Sequence, residues 1–341
     1  MKILAIKFKY LGDVAITIPA LRALRQTYPD AKLHVLVSQE AMPILEYIPW
    51  IDKIWGYPRK KSQGTKKEAF SLIKSLRKEK FNLSIDFVGN DRGAWISLAI
   101  GAKIRLGQIS PKGFLGRKFC YSHRISEASN DIHEVDRCLH VLTRIGVSNV
   151  TSTEPELYSD PSLDLFAQTY LPEKPILCHL STSSPGKEWP IEKWAAFYHL
   201  SSEFKNRIIF SSGPSPRERQ LLSDLFSAIP NALVIKDILS LPQFMAIIKN
   251  ASAVICGDTF VSHAAAGLKT PVVTLFGPTL SKLWGPKGNS ISLQTDSCHC
   301  RSDFYLCSNK VHCLSSLDPQ KVKSALLQLF ERTSHLEKTP A

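Results

Sequence analysis

Gly257-Asp258-Thr259-Phe260-Val261-Ser262-His263-Ala264-Ala265-Ala266-Gly267-Leu268-Lys269-Thr270-Pro271 follows the apolar run Ala253 to Cys256. The run reads as a buried strand that stops at Gly257. Asp258 and Thr259 are suited to cap a short helix, which ends at Gly267 with Pro271 beyond. A strand that turns directly into a helix leaves the leading backbone N–H groups of that helix unpaired, and such a helix start attracts phosphate. An acid at the same turn repels phosphate and is better placed to accept hydrogen bonds from a neighbouring sugar. The pair points to a sugar joined to a diphosphate.

Working outward, the same alternation recurs. Ile3 to Phe8, Lys32 to Val37, Ile51 to Trp55, Leu83 to Phe87 and Lys103 to Gln108 read as strands. Between them, Gly12 to Tyr28, Glu40 to Tyr47, Lys66 to Lys80 and Asp91 to Ile100 read as helices, with Pro19 expected near the first turns of its helix. Residues 109–125 read as loop, and Asn130 to Ile145 as a helix that stops at Gly146. Prolines then crowd the stretch to Pro175, and the alternation restarts at Ile176. These patterns predict an α/β chain with two Rossmann-like parallel sheets facing across a cleft. The expected division is 1–155, a linker 156–174, a second domain 175–318, and a C-terminal helix and tail 319–341.

Composition narrows the partners. The 341 residues carry a formal net charge of +13, which suits an acidic partner. Lysines and arginines concentrate between Arg59 and Lys80, but no zinc-finger spacing or RNA-binding aromatic motif accompanies them, so nucleic acid is disfavoured. No run reaches the roughly 18 apolar residues of a membrane span. The N-terminus enters a strand at once, without the apolar block of a secretory signal, so a cytoplasmic location is expected. Cys120, Cys138, Cys178 and Cys256 are scattered and read as buried small hydrophobes. Cys298, Cys300, Cys307 and Cys313 share one late loop with His299 and His312. Their one-residue Cys-His-Cys spacing departs from a zinc knuckle, so no metal is expected, although these thiols are where one would bind.

Three further constellations carry chemistry. Lys7-Phe8-Lys9-Tyr10-Leu11-Gly12-Asp13 joins the first strand to the first helix. A carboxylate at Asp13 is stabilised as the anion by the helix dipole. It can serve as a plain cap or as the general base for an attacking hydroxyl. Lys7 can hold Asp13 ionised or touch a substrate phosphate. Ser181-Thr182-Ser183-Ser184-Pro185-Gly186-Lys187 offers hydroxyls, a glycine and a cation, a set suited to oxyanions, without the spacing of a P-loop. Glu218, after Gly213-Pro214-Ser215-Pro216-Arg217, can bind a ribose or base, or act as a first-turn helix acid.

Gly12-Asp13, His133-Glu134-Val135-Asp136-Arg137, Lys187-Glu188-Trp189-Pro190, Gly257-Asp258-Thr259 with His263, and Thr270-Pro271 through Gly277-Pro278-Thr279 occur in one order. That ordered set resembles the ADP-heptose:lipopolysaccharide heptosyltransferases of glycosyltransferase family 9. The resemblance implies a GT-B fold, with the nucleotide-sugar on the C-terminal domain and the acceptor on the N-terminal one. It implies direct displacement with inversion and no required cofactor. By the same resemblance Asp13 is the catalytic base. Thr182, Ser183, Lys187, Glu218, Asp258, Thr259 and His263 bind the donor, and Arg59 and Lys60 lie where an acidic acceptor of the Kdo–lipid A or inner-core lipopolysaccharide class would sit; Lys7, from its own place after the first strand, is expected to join them in binding the acceptor. The implied place is the inner-membrane surface. Phe260 departs from the glycine usual in the family, and its side chain would keep the backbone away from a diphosphate. A nucleotide-sugar epimerase, a different sugar nucleotide, a protein acceptor and a non-catalytic binder stand as competing readings.

Overall fold

A computed structural model describes residues 1–58, 65–109, 113–147, 150–295 and 313–338. The chain forms two compact units, Met1–Tyr158 and Ser159–Ala341.

The first unit runs β1 (Lys2–Ile6), α1 (Leu11–Thr27), β2 (Lys32–Ser38), β3 (Lys53–Tyr57), α2 (Lys66–Lys78), β4 (Leu83–Asp86), α3 (Asp91–Ala99), β5 (Ile104–Ile109), β6 (His123–Ser126) and α4 (Glu134–Thr143). Its strands form one parallel sheet in the order β3-β2-β1-β4-β5-β6. Ile3, Leu4, Ala5 and Ile6 are buried on both faces, the pattern expected of a central parallel strand covered by helices.

The second unit runs α5 (Asp164–Tyr170), β7 (Ile176–His179), α6 (Ile191–Leu200), β8 (Ile208–Ser211), α7 (Pro216–Ala228), β9 (Leu233–Val234), α8 (Leu241–Lys249), β10 (Ala253–Gly257), α9 (Phe260–Gly267), β11 (Val272–Phe276), α10 (Ser281–Trp284), β12 (Ser290–Gln294) and α11 (Pro319–Lys338). Its parallel sheet has the order β12-β11-β10-β7-β8-β9. Both sheets therefore start in the middle, wind to one edge, and return to wind the other way. The reversal falls between β1 and β4 in one unit and between β7 and β10 in the other. The loops at the carboxyl ends of those strands diverge there and leave a crevice for ligands.

Several local expectations change. Residues 109–125 were expected to be all loop, yet β6 pairs with β5. β12, unforeseen, pairs with β11. Both are edge strands, half exposed and rich in polar residues, so they lack the apolar run that marks the central ones. Within the proline-rich stretch 156–174, α5 forms and docks on α8 through Asp164, which takes hydrogen bonds from Lys249 and Asn250. Residues 39–44 make a 3₁₀ turn rather than an α-helix. Pro19 lies in the interior of α1, about two turns past its start at Leu11. It removes the hydrogen bond that the Ala15 carbonyl would receive.

Asp86, wholly buried, ends β4 beside Ile6 of β1. The Tyr121 hydroxyl donates to its Oδ2 at 2.6 Å, and the Val88 and Gly89 N–H groups donate to Oδ1 at 2.9 and 3.3 Å. Burial raises its pKa, while these donors and the nearby Lys7 charge act in the opposite direction. Two glycines make room for this centre. A Cβ on Gly93 would lie 2.2 Å from Asp86 Oδ2, and one on Gly107 would lie 2.2 Å from the Tyr121 ring.

Overpacking at such sites costs about 1–3 kcal/mol. Gly93→Ala and Gly107→Ala are each expected to lower the melting temperature by several degrees in a thermal scan. Gly186→Ala, whose nearest neighbour atom is 3.9 Å away, is the control expected to leave it unchanged. Equal melting temperatures in all three would refute this account.

Candidate functional site

The loops after β7 and β10 converge because residue 257 is glycine. A Cβ there would lie 2.7 Å from the Lys187 carbonyl oxygen and 2.9 Å from Thr182 Cγ2. The close crossing brings the Lys187 ammonium to Asp258, with Nζ 2.7 Å from Oδ2. The Thr279 hydroxyl, from the loop after β11, donates to the same oxygen at 2.7 Å. Lys187 and Asp258 are largely withdrawn from water, so this charge-assisted pair is stronger than one on an open surface.

Asp258 thus does not cap the helix as expected, because its carboxylate is turned to Lys187 and Thr279. Thr259 is the N-cap of α9, and it caps without a side-chain hydrogen bond. That arrangement suits the helix start to an anionic ligand. Phe260 opens α9 and is half buried, while His263 lies buried within the helix.

The Thr182–Lys187 loop is fixed at its root. Glu188 Oε1 accepts the Thr182 N–H at 2.9 Å. Arg217 Nη1 donates to both Glu188 carboxylate oxygens at 2.8 Å, and its Nη2 donates to the Thr182 carbonyl at 2.6 Å. The Thr182 hydroxyl is engaged in the loop itself, donating to the Ser184 carbonyl and accepting the Ser184 N–H. Ser183 is exposed. Glu218 closes a capping box with Ser215 at the start of α7, and a Cβ on Gly213 would lie 2.3 Å from its Oε1.

Two supporting residues escaped the sequence reading. Arg217 reads as a helix-surface arginine until the fold sets it against Glu188. Gln294 belongs to the unforeseen β12. Its amide donates to the Gly277 and Thr279 carbonyls at 3.0 and 3.1 Å and accepts the Ser281 N–H at 2.8 Å, which aims Thr279 at Asp258. The Gly277-Pro278-Thr279 turn was the only visible signal.

Beneath this loop lies His179, the last residue of β7. Its Nδ1 is 2.9 Å from Ser211 Oγ and its Nε2 is 3.3 Å from Ser181 Oγ. Ser181 Oγ also accepts the Gly213 N–H at 2.7 Å. A neutral imidazole serves both hydroxyls, one nitrogen donating and the other accepting. Burial lowers the His179 pKa from 6.5 to about 4.

In the first unit, the loop after β1 carries Lys7 and Asp13, both buried. Asp13 Oδ2 accepts the Tyr10 N–H at 3.2 Å, and Lys9 Nζ lies 4.0 Å from Oδ1. Lys9 has φ of 119°, a conformation costly for a lysine, here stored beside the candidate base. Lys7 Nζ lies 3.7 Å from Cys138 Sγ on α4. Burial acts to lower the Lys7 pKa, but the electrostatic effects of Cys138, Asp13 and Glu134 outweigh it and the net shift is upward. His133 caps α4, its Nδ1 accepting the Val135 N–H at 3.1 Å. Asp86, unforeseen as part of this neighbourhood, contributes a buried carboxyl within electrostatic reach of Lys7.

Arg59 and Lys60 lie outside the described residues, as do Cys298, Cys300 and Cys307. Cys313 sits in a 3₁₀ turn against Gly277, where a Cβ would lie 2.8 Å from its sulfur. Among the described residues no group of three His, Cys, Asp or Glu could hold a metal ion. Cys120, Cys138, Cys178 and Cys256 are buried, as the sequence implies.

A family model described as glycosyltransferase family 9 (heptosyltransferase) matches residues 69–311. Lipopolysaccharide heptosyltransferase 3 of Escherichia coli is 25% identical over 83% of this chain and 85% of its own length. The solved glycosyl transferase family 9 structure from Veillonella parvula superposes with a TM-score of 0.81 at 20% identity, covering 97% of each chain. The E. coli heptosyltransferase WaaC with ADP-2-deoxy-2-fluoro heptose superposes with a TM-score of 0.72 at 21% identity, covering 96% of this chain and 99% of its own.

His179 gives a pH prediction. Its folded pKa lies below its ordinary value, so between pH 6.5 and about 4 the unfolded chain binds a proton that the native chain refuses. Stability is full above that window and falls as pH drops through it, by up to about 3 kcal/mol. In melting scans, His179→Gln is expected to flatten the acid slope between those limits. Parallel slopes for the two proteins would exclude His179 as the cause.

Proposed function

Because the chain belongs to glycosyltransferase family 9, the heptosyltransferases, we propose that it moves heptose from ADP-heptose to the inner core of lipopolysaccharide. The observation that carries this reading is the Lys187–Asp258–Thr279 cluster at the start of α9. A diphosphate arriving at that helix start competes for the Lys187 ammonium. Asp258, released from Lys187, then accepts hydrogen bonds from sugar hydroxyls while Thr279 keeps its carboxylate oriented. Thr182 and Ser183 belong to the same loop, Glu218 is assigned to the nucleoside, and Thr259 and His263 of the α9 start are assigned to the donor with them. The solved relative with a fluorinated ADP-heptose analogue supports the donor class.

The acceptor hydroxyl oxygen attacks the anomeric carbon and its proton passes to the Asp13 carboxylate. The bond from that carbon to the phosphate oxygen breaks, and ADP leaves with the electron pair, inverting the centre. Lys187 and the α9 start stabilise the charge on the departing diphosphate. Lys7, buried against Cys138, serves as a fixed positive charge near Asp13 rather than to reach the acceptor. Arg59 and Lys60 are assigned to the acidic acceptor. The first unit is assigned to that acceptor and the second to the donor. No described helix is long and apolar enough to cross a membrane, and the lipid-linked acceptor calls for peripheral attachment at the cytoplasmic face of the inner membrane.

The direct test incubates the full chain with ADP-heptose and inner-core acceptor and seeks acceptor heavier by one heptose in the mass spectrum. A product formed from ADP-heptose alone, with the acceptor unchanged, would instead identify an epimerase. Asp13→Asn is expected to lower kcat by about 10²–10⁴-fold while ADP affinity by calorimetry holds; joint loss of both would remove Asp13 as base. Thr279→Val is expected to lower kcat/KM about tenfold, by loss of one bond to a charged group. Thr279→Ser should restore it, and indifference to both changes would dismiss Thr279. Phe260→Gly is expected to tighten ADP binding, and unchanged affinity would show that the ring does not crowd the diphosphate.

A further inference from the structure

α2, α3 and the segment 113–120 form one surface of the first unit. Leu72, Ile73 and Leu76 of α2 pack with Ile96 and Ile100 of α3, and Arg77 Nη1 donates to the Ala99 carbonyl at 2.9 Å. On the other side of α3, Phe114 stacks on Trp95 with ring centroids 5.0 Å apart, and its N–H donates to Asp91 Oδ1 at 3.3 Å. Arg117 pairs with the same carboxylate at 3.4 Å.

The outward side chains of this surface are unusual. α3 buries Ala94 and Ile96 and turns Trp95 and Leu98 to solvent, 55% and 40% exposed. Phe70 of α2 is 72% exposed, Phe119 71%, and Leu115 102%. Solitary exposed apolar residues need no explanation, but a group on adjoining elements marks an interaction site. Cations accompany them: Lys67, Lys74 and Arg77 follow the stripe of Phe70, Arg92 lies in the first turn of α3, and Lys118 lies over the Phe119 ring. The acids on these elements are committed locally, Glu68 to its capping box with Thr65 and Asp91 to Arg117 and Phe114.

We propose that this surface docks the enzyme on an anionic lipid bilayer, with Leu115, Phe119, Trp95, Leu98 and Phe70 entering the interfacial layer and the surrounding lysines and arginines meeting acidic headgroups. The inference rests on the peripheral attachment proposed above and identifies the face that makes it. Exposed aromatic and aliphatic groups ringed by cations match a bilayer interface. A second copy docking by two-fold symmetry would set these same cations against one another. The surface adjoins the acceptor edge: Arg92 stacks over Tyr57, which contacts Phe8, the residue after Lys7. An enzyme held by this face keeps the mouth of the Asp13 loop near the headgroups that carry its acceptor.

The experiment uses the full chain and sedimentation with two vesicle types, phosphatidylethanolamine containing phosphatidylglycerol and pure phosphatidylcholine. Wild type is expected to bind the anionic vesicles and to bind neutral ones far more weakly. Leu115→Glu with Phe119→Glu is expected to reduce binding at least tenfold, and Lys67→Glu with Lys74→Glu to reduce it similarly, with the salt sensitivity of the remainder lowered. Transfer of heptose to a deacylated, water-soluble acceptor by the Leu115→Glu, Phe119→Glu protein should equal wild type, which shows that it is folded. Undiminished vesicle binding by both double variants would overturn the proposal. So would a wild-type dimer in sedimentation velocity that the Leu115→Glu, Phe119→Glu change dissolves, because the face would then belong to a second copy. Wild type inactive on every acceptor, yet bound to vesicles through this face, would leave the docking standing and defeat the transferase reading.

Discussion

Where the chain passes Gly257, the Lys187 carbonyl comes so close that no side chain fits at that position. This single steric constraint sets the second unit's site. It lets the loop after β7 cross the end of β10, and the crossing places a cation on Asp258 at the mouth of α9. The glycine's small size, rather than its backbone freedom, is what the position requires. Everything near it is braced. Glu188 and Arg217 hold the loop's root, Gln294 holds the turn that bears Thr279, and His179 ties the ends of β7 and β8 from below. Loops braced in this way are ordered in advance, so binding energy is not spent on ordering them.

The first unit handles its charges differently. Asp86, whose pKa burial raises, accepts hydrogen bonds from Tyr121, Val88 and Gly89, and Lys7 is kept cationic by surrounding groups despite burial. Asp13 accepts the Tyr10 N–H at the start of α1, beside a strained Lys9. Buried charges of this kind are costly unless each has partners. Their presence at the reversal point of the sheet agrees with a region shaped for chemistry rather than for stability alone.

The two units share one strand order, so the same topological logic yields two crevices with different equipment: a carboxylate and a lysine kept apart in one, a lysine joined to a carboxylate in the other. The apolar residues exposed on α2, α3 and the segment that follows fall outside either crevice. They gather on adjoining elements, on a face rich in cations.

The alternating apolar runs and their stop signals were enough to place the central strands and most helices, because a strand buried on both faces must be apolar throughout. Gly257-Asp258-Thr259 and Gly12-Asp13 stood out for the same local reason: small and acidic residues at strand ends are legible without a fold. The edge strands β6 and β12 were not, since one exposed side admits polar residues and erases the pattern. Nor could sequence show that Asp258 turns from the helix it precedes, that the Thr182 hydroxyl is occupied by its own loop, or that Arg217 and Gln294 support the site. Those facts depend on contacts between residues 13 to 71 positions apart or on loop geometry, as in Thr279 to Asp258 and Lys187 to Asp258. Local chemistry fixes which groups can act; only the packing of strands side by side decides which of them meet.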